Sequence, residues 1–142
     1  MPVGPMRREA PATVVGLFSA PCDPLVLAVG PGGATPALTG LTGLVDWRLA
    51  GRLTQHLRAR PAGDELPLLL PRTPLLPAGR LLLLRSGEAG PAVLAERVRA
   101  LAVGPAGLCP EDFGWTPAQV LAAFVGLPLV LYRPVGDGGG SP

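Results

Sequence analysis

Short apolar runs of strand length recur along this chain and set the strongest limit on its fold. They lie at Leu25–Val29, at residues 66–70, 80–85 and 127–133, and in a briefer form at 106–109. Because these runs are rich in leucine and lack polar alternation, they are typical of strands in a sheet that is covered on both faces. Segments with helical spacing lie between them. The pattern predicts an α/β domain with a mixed, largely buried sheet flanked by helices.

The clearest helical segment covers residues 43–59. It has an apolar stripe with four-residue spacing, formed by Val45, Leu49, Leu53 and Leu57. Thr42 is the predicted N-cap, and Asp46 is expected in the first turn, near the positive end of the helix dipole. Trp47 broadens the stripe and is predicted to lie in the core. We therefore expect one long helix in this segment.

Proline and capping signals mark two further helices. One begins at Pro91, with proline in its favoured first turn, and stops before Gly104. The other follows Thr116, because Thr116 and Gln119 have the spacing of a capping box, and Gly126 suits its C-terminal end. Both segments lie between predicted strands, so helices and strands alternate in the second half of the chain.

The two ends of the chain are expected to lie outside the folded unit. Residues 1–11 are interpreted as a mobile leader, residues 12–134 as a single domain, and residues 135–142, which include three consecutive glycines, as a flexible tail. Residues 13–18 predict a strand that pairs with Leu25–Val29 as a hairpin. No apolar run approaches signal-peptide length or the roughly 18 residues of a membrane span, so a cytoplasmic protein without membrane contact is expected.

The composition favours contact with another protein chain. In 142 residues, enough for one hydrophobic core, 48% of the side chains are hydrophobic. This apolar content indicates that part of the surface meets a partner, either a second copy or another protein. The candidate contact residues are Phe113, Trp115, Tyr132 and Arg72, the last with its neighbouring prolines.

The charged residues do not indicate nucleic-acid binding. All twelve cationic residues are arginine, and the net charge is +2. Four of them lie on the long predicted helix or at its end: Arg48, Arg52, Arg58 and Arg60. A basic face that contacts phosphate or carboxylate is the alternative interpretation, and a solvated helix face is the favoured one. No aromatic residues are interleaved with these arginines, so the stacking component of a single-strand nucleic-acid site is missing. Nucleic acid is therefore not an expected partner.

No set of side chains has the spacing of a catalytic or metal-binding motif. Cys22 and Cys109 lie far apart, so we expect two buried free thiols. We expect neither a metal ion nor another cofactor. His56 is the only histidine. The one catalytic alternative, and the weaker interpretation, is that His56 acts as general base for Ser19, Ser86 or Cys109. The adjacent Glu111 and Asp112 are interpreted as helix-start charges rather than an acid–base couple.

A glycine-rich loop follows the run at Leu25–Val29. Gly30, Gly32 and Gly33 are candidates for binding a phosphate through backbone N–H groups. The loop lacks the GxGxxG spacing and no helix begins directly after it, so a simple connection is the favoured interpretation.

Part of the chain resembles a known family. Residues 43–53 (GLVDWRLAGRL), with Gly-Asp-Glu at 63–65 and the leucine runs at 68–71 and 81–84, resemble the amino-terminal domain of the M17 leucyl aminopeptidase family. The resemblance covers about residues 12–134 and implies a macrodomain-like fold. The peptidase chemistry of that family belongs to a carboxy-terminal domain in which lysine and acidic residues hold two metal ions. This chain has no lysine, so no catalytic or metal position is carried over.

These observations together predict a domain that is not an enzyme. The leading hypothesis is a structural or scaffold domain that binds protein, itself in the first instance. Two alternatives stay open: a domain that binds a nucleotide or an ADP-ribose-like molecule, with Gly30 and Gly33 near phosphate, and an accessory subunit of a separately encoded metallopeptidase.

Overall fold

The fold is a six-stranded sheet with helices on both faces. A computed structural model of the chain describes residues 7–30, 38, 40–59, 68–76, 79–85, 90–101 and 104–134. The strands are β1 (Arg7–Pro11), β2 (Leu25–Val29), β3 (Leu68–Leu70), β4 (Leu81–Arg85), β5 (Ala106–Leu108) and β6 (Leu129–Arg133). The helices are α1 (Val14–Ser19), α2 (Gly40–Arg48), α3 (Arg52–Ala59), α4 (Pro91–Leu101) and α5 (Pro117–Ala123), with a short 3₁₀ helix at Pro110–Phe113.

The strand order confirms the predicted mixed sheet. It is β1-β6-β5-β2-β4-β3, and all neighbours are parallel except β3, which runs antiparallel to β4 at one edge. All five residues of β2 are buried, as expected for a strand in the middle of a sheet. The α/β class and the helix-flanked, largely buried sheet are thus as the apolar runs predicted.

Alternating residues of the strands build a separate core on each face. Leu25, Leu27 and Val29 join one cluster, to which α1, α2 and α3 contribute leucines and a valine. Val26 and Ala28 point to the other face, into a cluster completed by α4 and α5. This two-residue period is a property of the extended backbone, and it explains why β2 has no polar position.

The predicted long helix at 43–59 is wrong in one respect, because it is two helices. Ala50 and Gly51 have φ values of 57° and 84°, in the left-handed region, and they end α2 before α3 begins. Asp46 bridges the break: its Oδ1 accepts from the backbone N–H of Thr54 at 3.1 Å and its Oδ2 from the Thr54 hydroxyl at 2.7 Å. Asp46 therefore stabilises the start of α3 rather than of α2.

The N-cap prediction for Thr42 is also wrong. The helix begins earlier, at Gly40, and Thr42 lies within it, fully buried. Its hydroxyl donates a hydrogen bond of 2.6 Å to the carbonyl oxygen of Ala28, which lies in β2. The threonine thus ties α2 to the sheet, since a buried hydroxyl needs a partner and this one finds it on a neighbouring strand.

Residues 13–18, predicted as a strand, form α1 instead, so the predicted hairpin with β2 is absent. The Thr13 hydroxyl accepts from the backbone N–H of Gly16 at 3.1 Å and caps the helix. Gly16 packs against the Pro11 carbonyl, where a Cβ atom would collide with the backbone. This cap and close approach outweigh the strand preference of Val14 and Val15.

The predicted leader is wrong over its second half. Arg7–Pro11 form β1, the edge strand, which pairs in parallel with β6 from Arg7 beside Leu129 to Pro11 beside Arg133. Charged residues and proline are what an exposed edge strand tolerates and what keeps it from pairing with other chains. The domain therefore includes residue 7 onward, and residues 1–6 and the predicted tail at 135–142 lie outside the described residues.

The signals in the second half of the chain are confirmed. Helix α4 begins at Pro91, and Thr116 and Gln119 form a capping box in which each side chain bonds the other residue's backbone N–H, at 3.2 and 2.8 Å. Gly126 has a φ of 85° after the end of α5. Over the described residues, no helix has both the length and the apolar character needed to cross a membrane.

Candidate functional site

The structure changes which aromatic residues are available to a partner. Tyr132 is fully buried and Phe113 is 7% exposed, so neither predicted contact residue reaches the surface. Trp115 is partly buried and stacks on Phe113, with ring centroids 4.6 Å apart and an angle of 12° between the planes. Of the four candidates, Arg72 alone is well exposed to solvent. Phe113 and Tyr132 are therefore core residues.

The phenol of Tyr132 is held inside the core by polar partners. Its hydroxyl donates to the carbonyl oxygen of Ala20 at 2.6 Å and lies 3.6 Å from the sulfur of Cys22. Gly107 of β5 faces this pair, and a Cβ atom there would collide with the Cys22 sulfur and lie 3.0 Å from the Tyr132 ring. Aromatic character alone suggested an interface, whereas the register of β6 directs the side chain inward.

Trp47 is the most exposed of the aromatic residues. The prediction that it belongs to the core is wrong, because 72% of its surface is accessible. The buried residues of α2 are Leu41, Thr42 and Val45, and Trp47 is rotated by about 200° from Val45 around a helix of 3.6 residues per turn. The helical spacing from Val45 was therefore the signal that could have placed Trp47 on the solvent side.

Helix α1 adds two more exposed apolar side chains beside α2. Val15 is 76% exposed and Phe18 is 48% exposed, and the three-residue spacing puts both on one side of α1. The Arg48 guanidinium lies over the Phe18 ring, 5.4 Å from its centroid, and so joins the two helices. We call the surface formed by Val15, Phe18, Trp47 and Arg48 the α1–α2 face.

The other large apolar residues that are exposed in the described part of the chain are dispersed. Leu69 lies on β3, Val93 on α4 and Val125 after α5. Single exposed apolar side chains of this kind are common on protein surfaces and need no partner. The α1–α2 face differs because it has three such residues, two of them aromatic, on two helices that share one core cluster.

A second group of side chains lies at the carboxyl end of β5. The Asp112 carboxylate accepts from the backbone N–H of Leu41 at 2.8 Å, and it lies against Gly40, whose φ is 58°. Glu111 pairs with Arg133 at 3.2 Å. Both acids thus have structural partners, as their interpretation as helix-start charges implied, although Asp112 serves α2 rather than its own helix.

This end of the sheet is also where the glycine-rich loop begins. Gly30 directly follows β2, next to β5, at the point where chain connections leave in opposite directions. Gly32 and Gly33, the other candidate phosphate-binding residues, lie outside the described residues. Of the three candidate phosphate-binding residues, only Gly30 therefore has a known position.

Burial raises the pKa of Asp112, which gives a pH prediction. The repulsion from Glu111 acts in the same direction and the Leu41 hydrogen bond opposes it. Because the folded state holds this proton more tightly than the unfolded state, the stability due to Asp112 is complete at low pH and is lost as pH rises through the folded-state pKa. Asp112→Asn keeps an acceptor for Leu41 and removes the charge. In urea unfolding, the free energy of unfolding of the variant is expected to rise relative to that of the wild type as the pH is raised from about 4 to about 7. A difference that stays constant with pH would contradict this.

Neither thiol is prepared for nucleophilic chemistry. Both cysteines are free and buried, as predicted. Desolvation raises the pKa of Cys22 to about 11 and that of Cys109 to about 12. A thiol is nucleophilic as its thiolate, so both are inert at neutral pH.

The remaining catalytic alternative has no supporting contact in the described residues. Ser19 donates its hydroxyl proton to the Gly16 carbonyl oxygen, and no hydrogen bond between described residues joins His56 to Ser19 or to Cys109. Ser86 lies outside the described residues. In the same part of the chain, no group of three or more His, Cys, Asp or Glu side chains is arranged to hold a metal ion.

Comparison with known proteins leaves the family of this chain open. A scan against models of protein families finds no match, and a search of curated proteins finds none either. The resemblance to the M17 amino-terminal domain thus stays a prediction.

Proposed function

We propose that this chain is a non-catalytic protein-binding domain that associates with a second copy of itself through the α1–α2 face. The observation that carries the proposal is the exposure of Trp47, at 72% of its surface, on a helix whose other side is fully packed. Tryptophan and arginine are the residues most enriched among the energetic centres of protein interfaces, and Trp47 and Arg48 are adjacent.

The form of the surface supports self-association. Two helices present the apolar side chains, and a pair of helices can meet its own copy across a two-fold axis because the same patch is used on both sides. Arg48 lies over Phe18 and supplies a polar group at the margin of the patch. An apolar centre with a polar margin is the usual arrangement of a protein interface.

The state of the thiols supports a role without catalysis. With pKa values of about 11 and 12, Cys22 and Cys109 are protonated at neutral pH. Their free, unpaired state also supports our proposal of a cytoplasmic location, where thiols are kept reduced. The resemblance to the amino-terminal domain of M17 aminopeptidases implies an assembly or regulatory module, which agrees with the same role.

Replacing Trp47 tests the proposal. Sedimentation velocity over a concentration series is expected to reveal a wild-type dimer and to show that Trp47→Ala raises its dissociation constant by about 30-fold or more, equivalent to about 2 kcal/mol at an interface centre. Val93→Ala is the matched control, because it also shortens an exposed apolar side chain on a helix but lies on the opposite side of the sheet.

Two results would remove the proposal. One is a strictly monomeric wild type at high micromolar concentration with no copurifying protein. The other is a Trp47→Ala variant that keeps the wild-type circular dichroism spectrum and dimerises as well as the wild type does.

A further inference from the structure

A groove of about 300 Å³ opens between α3 and the strands β3 and β4. Its floor is apolar and is formed by four leucines, Leu49, Leu53, Leu70 and Leu81, while Pro71 and Pro74 form a wall. Three of these leucines are at most 4% exposed, so the floor is continuous with the core. A concave apolar surface of this size lies at the small end of the range for ligand sites.

The margin of the groove is cationic and rich in hydrogen-bond donors. Arg52 and His56 are four residues apart on α3 and so lie on one side of that helix, while Arg72 and Thr73 approach from the segment after β3. None of the described lining residues is acidic. Among the described residues, no ion pair involves Arg52 or Arg72. Two guanidinium groups are thus available at one apolar site.

The segment that holds Arg72 is fixed in place. Arg48 of α2 donates from Nε to the Leu75 carbonyl oxygen at 3.2 Å, and Leu76 is inserted into the core with 5% of its surface exposed. The Thr73 hydroxyl oxygen accepts from the Leu75 backbone N–H at 3.3 Å, which leaves its proton free to donate. A wall that is ordered before a ligand arrives reduces the entropy cost of binding.

We propose that this groove binds a small amphipathic organic anion, with its apolar body on the leucine floor and its charged head between Arg52 and Arg72. The arginine fork matches the two oxygens of a carboxylate or the oxygens of a phosphate, and both heads share this chemistry. His56 and Thr73 add N–H and O–H donors at the same margin. The volume of the groove suits a ligand with a short alkyl or aromatic body. This ligand site is separate from the α1–α2 face proposed for self-association.

The site can be tested with octanoate, and with octanol as a probe that has the same alkyl body and no charge. Titration followed by ¹H–¹⁵N NMR is expected to give saturable octanoate shifts centred on α3 and on residues 70–74, with octanol binding at least about tenfold more weakly, since hydrogen bonds to charged groups are the stronger ones. Octyl phosphate, as a third probe, identifies the preferred head group by its affinity relative to octanoate.

Three arginine variants separate the site from a general charge effect. Arg52→Gln and Arg72→Gln are each expected to weaken octanoate binding by about tenfold. Arg97→Gln is the matched control, because it removes the same charge from an exposed position on α4, across the sheet, and should leave the affinity unchanged. Absence of saturable binding, equal affinity for octanoate and octanol, or an equal effect of Arg97→Gln would each overturn the proposal.

Discussion

Phe124→Ala is expected to lower the free energy of unfolding by about 3–5 kcal/mol, the largest effect of any single change considered for this chain. Phe124 is fully buried just after α5, in the core cluster that α4 and α5 form against the sheet. Removing the ring deletes its transfer free energy and leaves a cavity, which the strand below and the capped helix beside it cannot readily fill. Urea denaturation followed by circular dichroism measures the loss.

The neighbouring residue supplies the control for this prediction. Val125 is 62% exposed, and its carbonyl oxygen, which accepts from Arg99 at 2.9 Å, is retained on substitution. Val125→Ala is therefore expected to change the free energy of unfolding by no more than about 0.5 kcal/mol. If the two variants were equally destabilised, the core assignment of Phe124 would be wrong.

Gly107→Ala is expected to lower the free energy of unfolding by about 3 kcal/mol, at the upper end for an overpacked core. The added methyl group collides with the Cys22 sulfur and lies 3.0 Å from the Tyr132 ring. Tyr132 cannot move aside without losing its hydrogen bond to the Ala20 carbonyl, which is buried with it. A residue without a side chain is required at this point of β5.

A double variant tests the cause of that loss. Cys22→Ala removes the sulfur with which the new methyl group collides, so the two changes together should cost at least about 1 kcal/mol less than the sum of the separate costs. Thermal and urea unfolding of all four proteins gives this coupling energy. Strict additivity would show that Cys22 is not the obstacle.

The strands were predictable because their apolar runs leave few alternatives. A segment such as Leu25–Val29 has no polar face, so it suits a strand that is buried on both sides. The run of leucines in β4 has the same property. The capping box at Thr116 was predictable for a different reason, since both of its hydrogen bonds are local in sequence. An apolar run and a capping box can each be recognised in the sequence without knowing how the rest of the chain folds.

The missed elements depend on contacts that a sequence does not display. The stripe of Leu49, Leu53 and Leu57 stays buried through the break at Ala50, so its spacing predicted one helix where there are two. The edge strand β1 has the composition of a loop, and it is a strand because β6 lies beside it. At β1 tertiary pairing overrode the local preference, whereas the break between α2 and α3 lies at the left-handed Ala50 and Gly51.

The candidate sites were less predictable than the fold. Trp47 and Trp115 exchange their expected roles: the first is exposed on α2, and the second stacks on a core phenylalanine. Arg72 and its prolines were predicted as contacts for a partner chain, and the groove that they line was not predicted, because its other side comes from α3. Surface chemistry arises from elements that are distant in sequence.

The pairing of β1 with β6 has a consequence for how the protein is made. Arg7 leaves the ribosome long before Leu129, yet the two lie side by side in the finished sheet. Strand β1 therefore stays unpaired until β6, the last strand of the domain, has been synthesised. Pairing between strands so far apart in sequence slows folding. The charges on Arg7, Arg8 and Glu9 help to keep the unpaired β1 segment from aggregating.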